Sequence, residues 1–166
     1  MKKIQKIFKF FIKKKYYFDL PSTKRLVLIN SAGYKYLKQA LDEELYLIDL
    51  NKSLNLQIII KVFFKFLVKK NLDPYVEEYL EYLKPEAVFC YAHNYMQFFR
   101  INKNKDIKYV VIQNGKNHGN SLFSVFDKKT NKNFKCDLFF CHGEYDKKIC
   151  EKLVKAKYIK IGSFLN

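Results

Sequence analysis

The stretch Tyr109-Val110-Val111-Ile112-Gln113-Asn114-Gly115 decides the fold. Its first four residues form an unbroken apolar run rich in β-branched side chains, a composition that fits a strand. An unbroken run suits a strand covered on both faces, as in a parallel sheet, better than one with a wet side. At Gln113 the chain turns polar, and it stays polar to Asn120 through two glycines, Gly115 and Gly119. The stretch therefore reads as a buried strand that opens into a polar loop.

The same rhythm extends both ways. Upstream, 25–30, 45–49 and 87–91 are strand candidates; downstream, 137–141 and 158–161 are two more. Helical stretches fall between them: from Gly33 to about Leu41, then 54–68, 73–83, 95–101 and 144–154. Asp73-Pro74 places proline at the favoured start of a helix, and Lys84-Pro85 ends it. In the helix over 54–68, Lys61, Lys65 and Lys69 repeat every four residues and mark the wet face. This helix is too short and too charged for a membrane span. Strands alternating with helices imply right-handed crossovers. The expected fold class is thus α/β: an open, mainly parallel Rossmann-like sheet with helices on both faces, over residues 19–166.

Residues 1–18 stand apart. Ile4, Ile7, Phe8, Phe11 and Ile12 form one helical stripe, and Lys2, Lys3, Lys6, Lys9 and Lys13 to Lys15 cover much of the rest. A basic amphipathic helix over 1–18 is expected, suited either to an anionic membrane surface or to docking on its own domain or a partner. Lysines interrupt every apolar run before a signal core could form. A cytoplasmic, reduced setting is expected, with the inner face of the membrane as a possible place of work, and four cysteines without a disulfide scaffold.

The chain has 166 residues and a formal net charge of +16. Almost all the positive charge is lysine; Arg25 and Arg100 are the two arginines. Bidentate reading of phosphate or guanine favours arginine. The lysines are dispersed over every segment instead of forming one stripe with aromatics, which counts against a nucleic-acid partner. An AT-rich coding bias would produce the same richness in Lys, Asn, Ile, Phe and Tyr.

In open parallel sheets, ligands sit beyond the carboxyl ends of the strands. Those ends carry Asn30, Ser31 and Gly33; His93 and Asn94; Gln113, Asn114, Gly115, Lys116 and His118; His142, Gly143 and Glu144; and Gly162 and Ser163. Gln and Asn offer both donors and acceptors, which suits sugar hydroxyls. Gly115 and Gly119 would allow positive φ and close backbone approach, and Lys116 could meet a phosphate. The loop could equally satisfy its own backbone as a polar turn. His118, in the Gly/Asn loop, is the candidate general base. His93 could simply orient its turn, and His142 could cap the helix near Glu144. Cys136 and Cys141 beside His142 invite a metal reading. Five residues apart on one strand they would point opposite ways, and the spacing fits no zinc pattern, so no metal is expected. Neither G-x-G-x-x-G nor a Walker loop appears, and no cofactor is expected in this chain.

The second half resembles a bacterial family of surface carbohydrate biosynthesis proteins with a glycosyltransferase-B-like fold. The matching residues are Lys84-Pro85, His93-Asn94, Phe98-Phe99, Ile112-Gln113-Asn114-Gly115, Cys136 to Phe140, Gly143 with Tyr145, and Ile161-Gly162-Ser163-Phe164-Leu165-Asn166. A weaker match reaches back to about Arg25. Where that family often has an acidic residue this chain has His93. The resemblance implies the acceptor-side domain of a sugar transferase for surface polysaccharide. Its substrate would be a sugar or lipid-linked sugar acceptor, and the substrate-binding residues would be His93, Asn94, Gln113, Asn114, Gly115, Lys116, Gly143 and Ser163. It also implies a nucleotide-sugar donor held by a second domain or chain, so that residues 19–166 represent half of a transferase, inactive alone. A noncatalytic membrane-surface or partner-binding module is the alternative.

Overall fold

The computed structural model describes residues 14–41, 45–69, 73–101, 104–115 and 134–162. Eight strands alternate with five helices among these residues. They are β1 (Lys15–Tyr17), β2 (Leu26–Ile29), α1 (Tyr34–Ala40), β3 (Leu45–Ile48), β4 (Ser53–Asn55), α2 (Leu56–Lys69), α3 (Asp73–Leu83), β5 (Ala87–Cys90), α4 (Met96–Arg100), β6 (Lys108–Ile112), β7 (Phe134–Cys141), α5 (Glu144–Cys150) and β8 (Val154–Lys160). Six strands form one sheet in the order β3-β2-β5-β6-β7-β8, and every neighbouring pair is parallel. The fold is a Rossmann-like α/β sheet. Chain order reverses between β2 and β5, the switch point of the doubly wound plan.

The apolar runs predict burial on both faces, and both are covered, unequally. On one face Val27, Ile29, Val88, Val111 and Phe139 pack under α2 to α5. On the other, Leu28, Leu45, Val110 and Ile112 pack with Leu37 of α1. The outer strand β8 carries Lys155, Lys157 and Lys160, and lysine blunts a sheet edge against pairing with another chain. The expectation of helix to residue 154 and strand from 158 is shifted here: α5 stops at Cys150, and a short turn leads into β8 at Val154.

Three features depart from the sequence reading. First, residues 1–13 of the expected N-terminal helix lie outside the described residues, and Lys15–Tyr17, expected to continue it, is a strand. β1 pairs in parallel with β4 to make a separate two-stranded sheet. Tyrosines fasten this small sheet to the main body. Tyr79 Oη lies 2.9 Å from Tyr17 Oη and 2.7 Å from Tyr46 Oη, and Tyr75 Oη accepts the Asn55 amide at 2.7 Å. Burial pushes the Tyr46 and Tyr75 phenols up to about 12 and Tyr79 higher still.

Second, Cys136 and Cys141 do not point opposite ways. β7 takes three steps from Lys135 to Leu138 while β8 takes two, from Lys155 to Lys157. The extra residue is a β-bulge, and it switches the parity of the strand. Phe134, Cys136, Phe139 and Cys141 therefore all enter the same core. At the bulge the Asp137 carboxylate accepts the Tyr109 amide at 2.7 Å. All four cysteines are buried and unbridged. Among the described residues, no group of three or more His, Cys, Asp or Glu side chains is arranged to hold a metal ion.

Third, the lysines of α2 do not mark the whole of its wet side. Lys61 and Lys65 lean towards α3, with their ammonium groups 4.0 and 3.4 Å from Glu78. The side facing away from the sheet is apolar. No described helix is long and apolar enough to cross a membrane.

Candidate functional site at the carboxyl rim

The parallel sheet gathers the tips of β2, β5, β6 and β7 on one rim. At the tip of β2, Asn30 adopts a left-handed conformation (φ 78°), and its Oδ1 accepts the Ala32 amide at 3.2 Å. Gly33 follows with φ 71°; a Cβ there would lie 2.1 Å from the Tyr91 ring. Glycine is required for both reasons, and Tyr91 fills the space above it. Tyr91 also stacks on Tyr36 of α1 at 6.2 Å between ring centroids. The switch-point crevice is therefore occupied by the protein's own aromatic ring on this face.

The tips of β5, β6 and β7 are built differently. Gln113 is fully buried, with 0% exposure. Its Nε2 donates to the Gly115 carbonyl at 2.7 Å and to Asp146 Oδ1 at 2.9 Å. Its Oε1 accepts the His142 amide at 3.2 Å. The primary amide thus has both N–H groups and its oxygen engaged, as a buried polar group requires. Its main-chain N–H donates to Phe140 O at 3.0 Å and extends the β6–β7 pairing one residue past the strand. The expectation was a hydroxyl-binding side chain. Gln113 instead ties the loop after β6 to the first turn of α5 and to the turn after β7.

Above this bracket sits a second polar contact. His93, 7% exposed in the turn after β5, has Nδ1 3.1 Å from Oδ1 of the exposed Asn114. With the amide oxygen as acceptor, Nδ1 is the donor in this contact. His93 and Asn114 come from turns on adjacent strands, brought together only because β5 and β6 pair in register. Asn94 is exposed beside His93.

The remaining expected residues divide. Gly115 and Gly143 lie on the rim, but a Cβ at either meets nothing within 4 Å among the described residues. Gly115 is not among the residues with positive φ, and Gly143 is extended at φ −170°. Neither position needs glycine for space or conformation, contrary to expectation at Gly115. His142 does not cap α5, which has no side-chain cap; its main-chain amide serves the Gln113 bracket. Lys116, His118 and Ser163 lie outside the described residues, as does Gly119.

Two acidic residues were missed in the sequence. Asp146 is buried at the start of α5 and receives the Gln113 amide. Asp49, at the tip of β3, is 4% exposed; its Oδ1 accepts the Asn51 amide at 2.9 Å. Its buried Oδ2 has no hydrogen bond among the described residues, and the Lys52 ammonium lies 3.7 Å away. The spacing Asp49-x-Asn51 at a strand end is an Asx-turn signal that could have found it. No comparable local signal marks Asp146, because its partner is 33 residues away.

Among the described residues, hollows also lie at the amino ends of β6, β7 and β8. One, about 460 Å³, is lined by Lys105, Tyr109, Lys135, Asp137 and Lys157 among others. Strand polarity sets it apart from the rim. Comparison of the chain with protein-family models, with curated proteins and with solved structures finds no match in any of the three.

Proposed function

We propose that this domain is the acceptor side of a sugar transferase in surface polysaccharide biosynthesis, binding hydroxyls of a sugar or lipid-linked sugar at the β5–β6–β7 rim. The observation that carries the reading is the His93–Asn114 pair, seated on the buried Gln113 bracket. The pair combines donor and acceptor capacity and stands at the carboxyl ends of parallel strands, where ligands of such sheets bind. A rigid foundation beneath an exposed polar group is what a binding site needs to limit ordering cost on association. In this reading Asn114 and Asn94 hold hydroxyls and Gln113 is a positioning residue. His118, in the loop after β6, is the proposed base, and a nucleotide-sugar donor is held by a second domain or chain.

Saturation-transfer NMR with neutral mono- and disaccharides tests the reading. The wild-type chain is expected to show transfer to at least one sugar, and Asn114→Ala to lose it while melting at the wild-type temperature. Absence of transfer from the wild type, or equal transfer from Asn114→Ala, refutes the assignment.

A further inference from the structure

Helix α2 carries apolar side chains on both its buried and its exposed side. Ile58 and Val62 are fully buried against the sheet. At 100° per residue, Ile60 stands about 200° round from Ile58, on the opposite side. There Ile60 is 68% exposed, Phe63 51% and Phe64 77%, with the two phenylalanine rings edge to face at 5.8 Å. A helix apolar on both sides is normally buried on both. The neighbourhood is enriched in the same way. Among the described residues, six of the nine exposed large apolar side chains belong to β1, α2, α3 and the residue after β1: Tyr16, Phe18, Ile60, Phe63, Phe64 and Tyr82.

Charge selects the occupant. The chain carries +16. Residues 1–15 contain seven lysines and no acidic residue, the most one-sided stretch of the sequence. That stretch runs directly into β1, which pairs with β4, and β4 leads without a break into α2. A second copy of the chain would bring +16 against +16. An anionic surface is attracted by the net positive charge of the chain and can take up the apolar face. α2 spans 14 residues, and no described helix qualifies to cross a bilayer, so the geometry is that of a helix lying in the interfacial plane.

We propose that the outward face of α2, centred on Ile60, Phe63 and Phe64, docks on an anionic lipid bilayer, with the two phenylalanines inserted at the headgroup–acyl boundary. Lys61 and Lys65, drawn aside by Glu78, leave that face uncharged while remaining at its edge. This docking is independent of the sugar-binding proposal.

The chain contains no tryptophan, so Phe64→Trp supplies a single reporter. In buffer its emission is expected at the red position of an exposed indole. It should shift to the blue with vesicles of phosphatidylglycerol and phosphatidylcholine, not with phosphatidylcholine alone, and the shift should weaken with salt. In co-sedimentation, Phe63→Ser/Phe64→Ser in the full chain should lower affinity for the mixed vesicles at least about tenfold at unchanged charge. Its melting temperature should match the wild type, since both side chains are exposed. Failure of the wild type to sediment, equal binding to both vesicle types, or an unaffected double variant overturns the proposal. Blue emission in buffer also overturns it: concentration-dependent emission identifies a second copy as the occupant, and concentration-independent emission identifies the chain's own residues.

Discussion

At the β2–β5 end of the carboxyl rim a glycine sits beneath an aromatic ring, whereas at the β5–β6–β7 end a glycine faces open space. Gly33 is held at φ 71° with Tyr91 where its Cβ would be. Gly115 has no neighbour within 4 Å of the same point among the described residues. Both lie within four residues of the end of a parallel strand, and an asparagine, Asn30 or Asn114, stands between strand and glycine. One end uses its residues to close the switch-point crevice. The other keeps Asn94 and Asn114 exposed over the buried Gln113. Glycine and asparagine at strand tips are therefore no guide to function until their neighbours are known, and substitutions can measure the contrast.

The largest effect is expected at the closed end. Gly33→Ala forces a side chain into the left-handed region and against Tyr91, costs of about 1–3 kcal/mol each. Together they should destabilise the domain by about 3–5 kcal/mol. Gly115→Ala should change stability by less than about 0.5 kcal/mol, as surface substitutions usually do. Urea denaturation of the two variants checks the pair. Equal losses would erase the distinction between the two ends.

The next effect lies beneath the open end. Gln113→Leu keeps much of the volume but removes the acceptor of the His142 amide and the donors to Asp146 Oδ1 and the Gly115 carbonyl. Each unsatisfied buried group costs about 1–3 kcal/mol, so a loss of about 2–4 kcal/mol is expected. The Asp146→Ala variant shares the same network. Its double-mutant cycle with Gln113→Leu should be non-additive by about 1 kcal/mol or more. Additivity would mean that Gln113 does not act through Asp146.

Asp49, at the tip of the edge strand β3, should respond in a smaller and chemically selective way. Asn keeps the Oδ1 acceptor for Asn51 while removing a charge whose other oxygen is buried and unbonded. Asp49→Asn is expected within about 1 kcal/mol of wild type, and Asp49→Ala to cost about 1–2 kcal/mol for the lost acceptor. A larger loss in Asn than in Ala would show that the charge beside Lys52 governs the site.

The location of the rim was legible in the sequence. Val110-Val111-Ile112 followed by Gln-Asn-Gly marks both the buried strand and its polar end, because burial on two faces leaves a continuous apolar run. The jobs of the rim residues were not legible. Gln113 meets partners 29 and 33 residues away, a relation set by the pairing of β6 with β7 and not by any local spacing. The bulge in β7 was hidden for a different reason. One extra residue reverses the inward and outward positions without altering composition, so Cys136 and Cys141 read as opposed yet enter the same core. β1 and β4, three residues each, are too short to show a period, and Lys15-Tyr16-Tyr17 continued a lysine-rich helical pattern. In α2 the four-residue lysine repeat was real, but the acidic residue that draws two of the lysines aside lies on another helix.

The smallest stability effect carries the most functional weight. Asn114 is exposed, and its one described side-chain contact is to His93 at 3.1 Å. Asn114→Ala removes that acceptor at a position where water can replace it, so the expected loss is below about 0.5 kcal/mol. Gln113, beneath it, keeps its contacts with Gly115, Asp146 and the His142 amide. A variant with an intact fold and an altered rim separates binding from folding, which Gln113→Leu cannot do. If Asn114→Ala instead melted as early as Gln113→Leu, Asn114 would belong to the bracket. The open end would then be a second packing device like Tyr91 over Gly33.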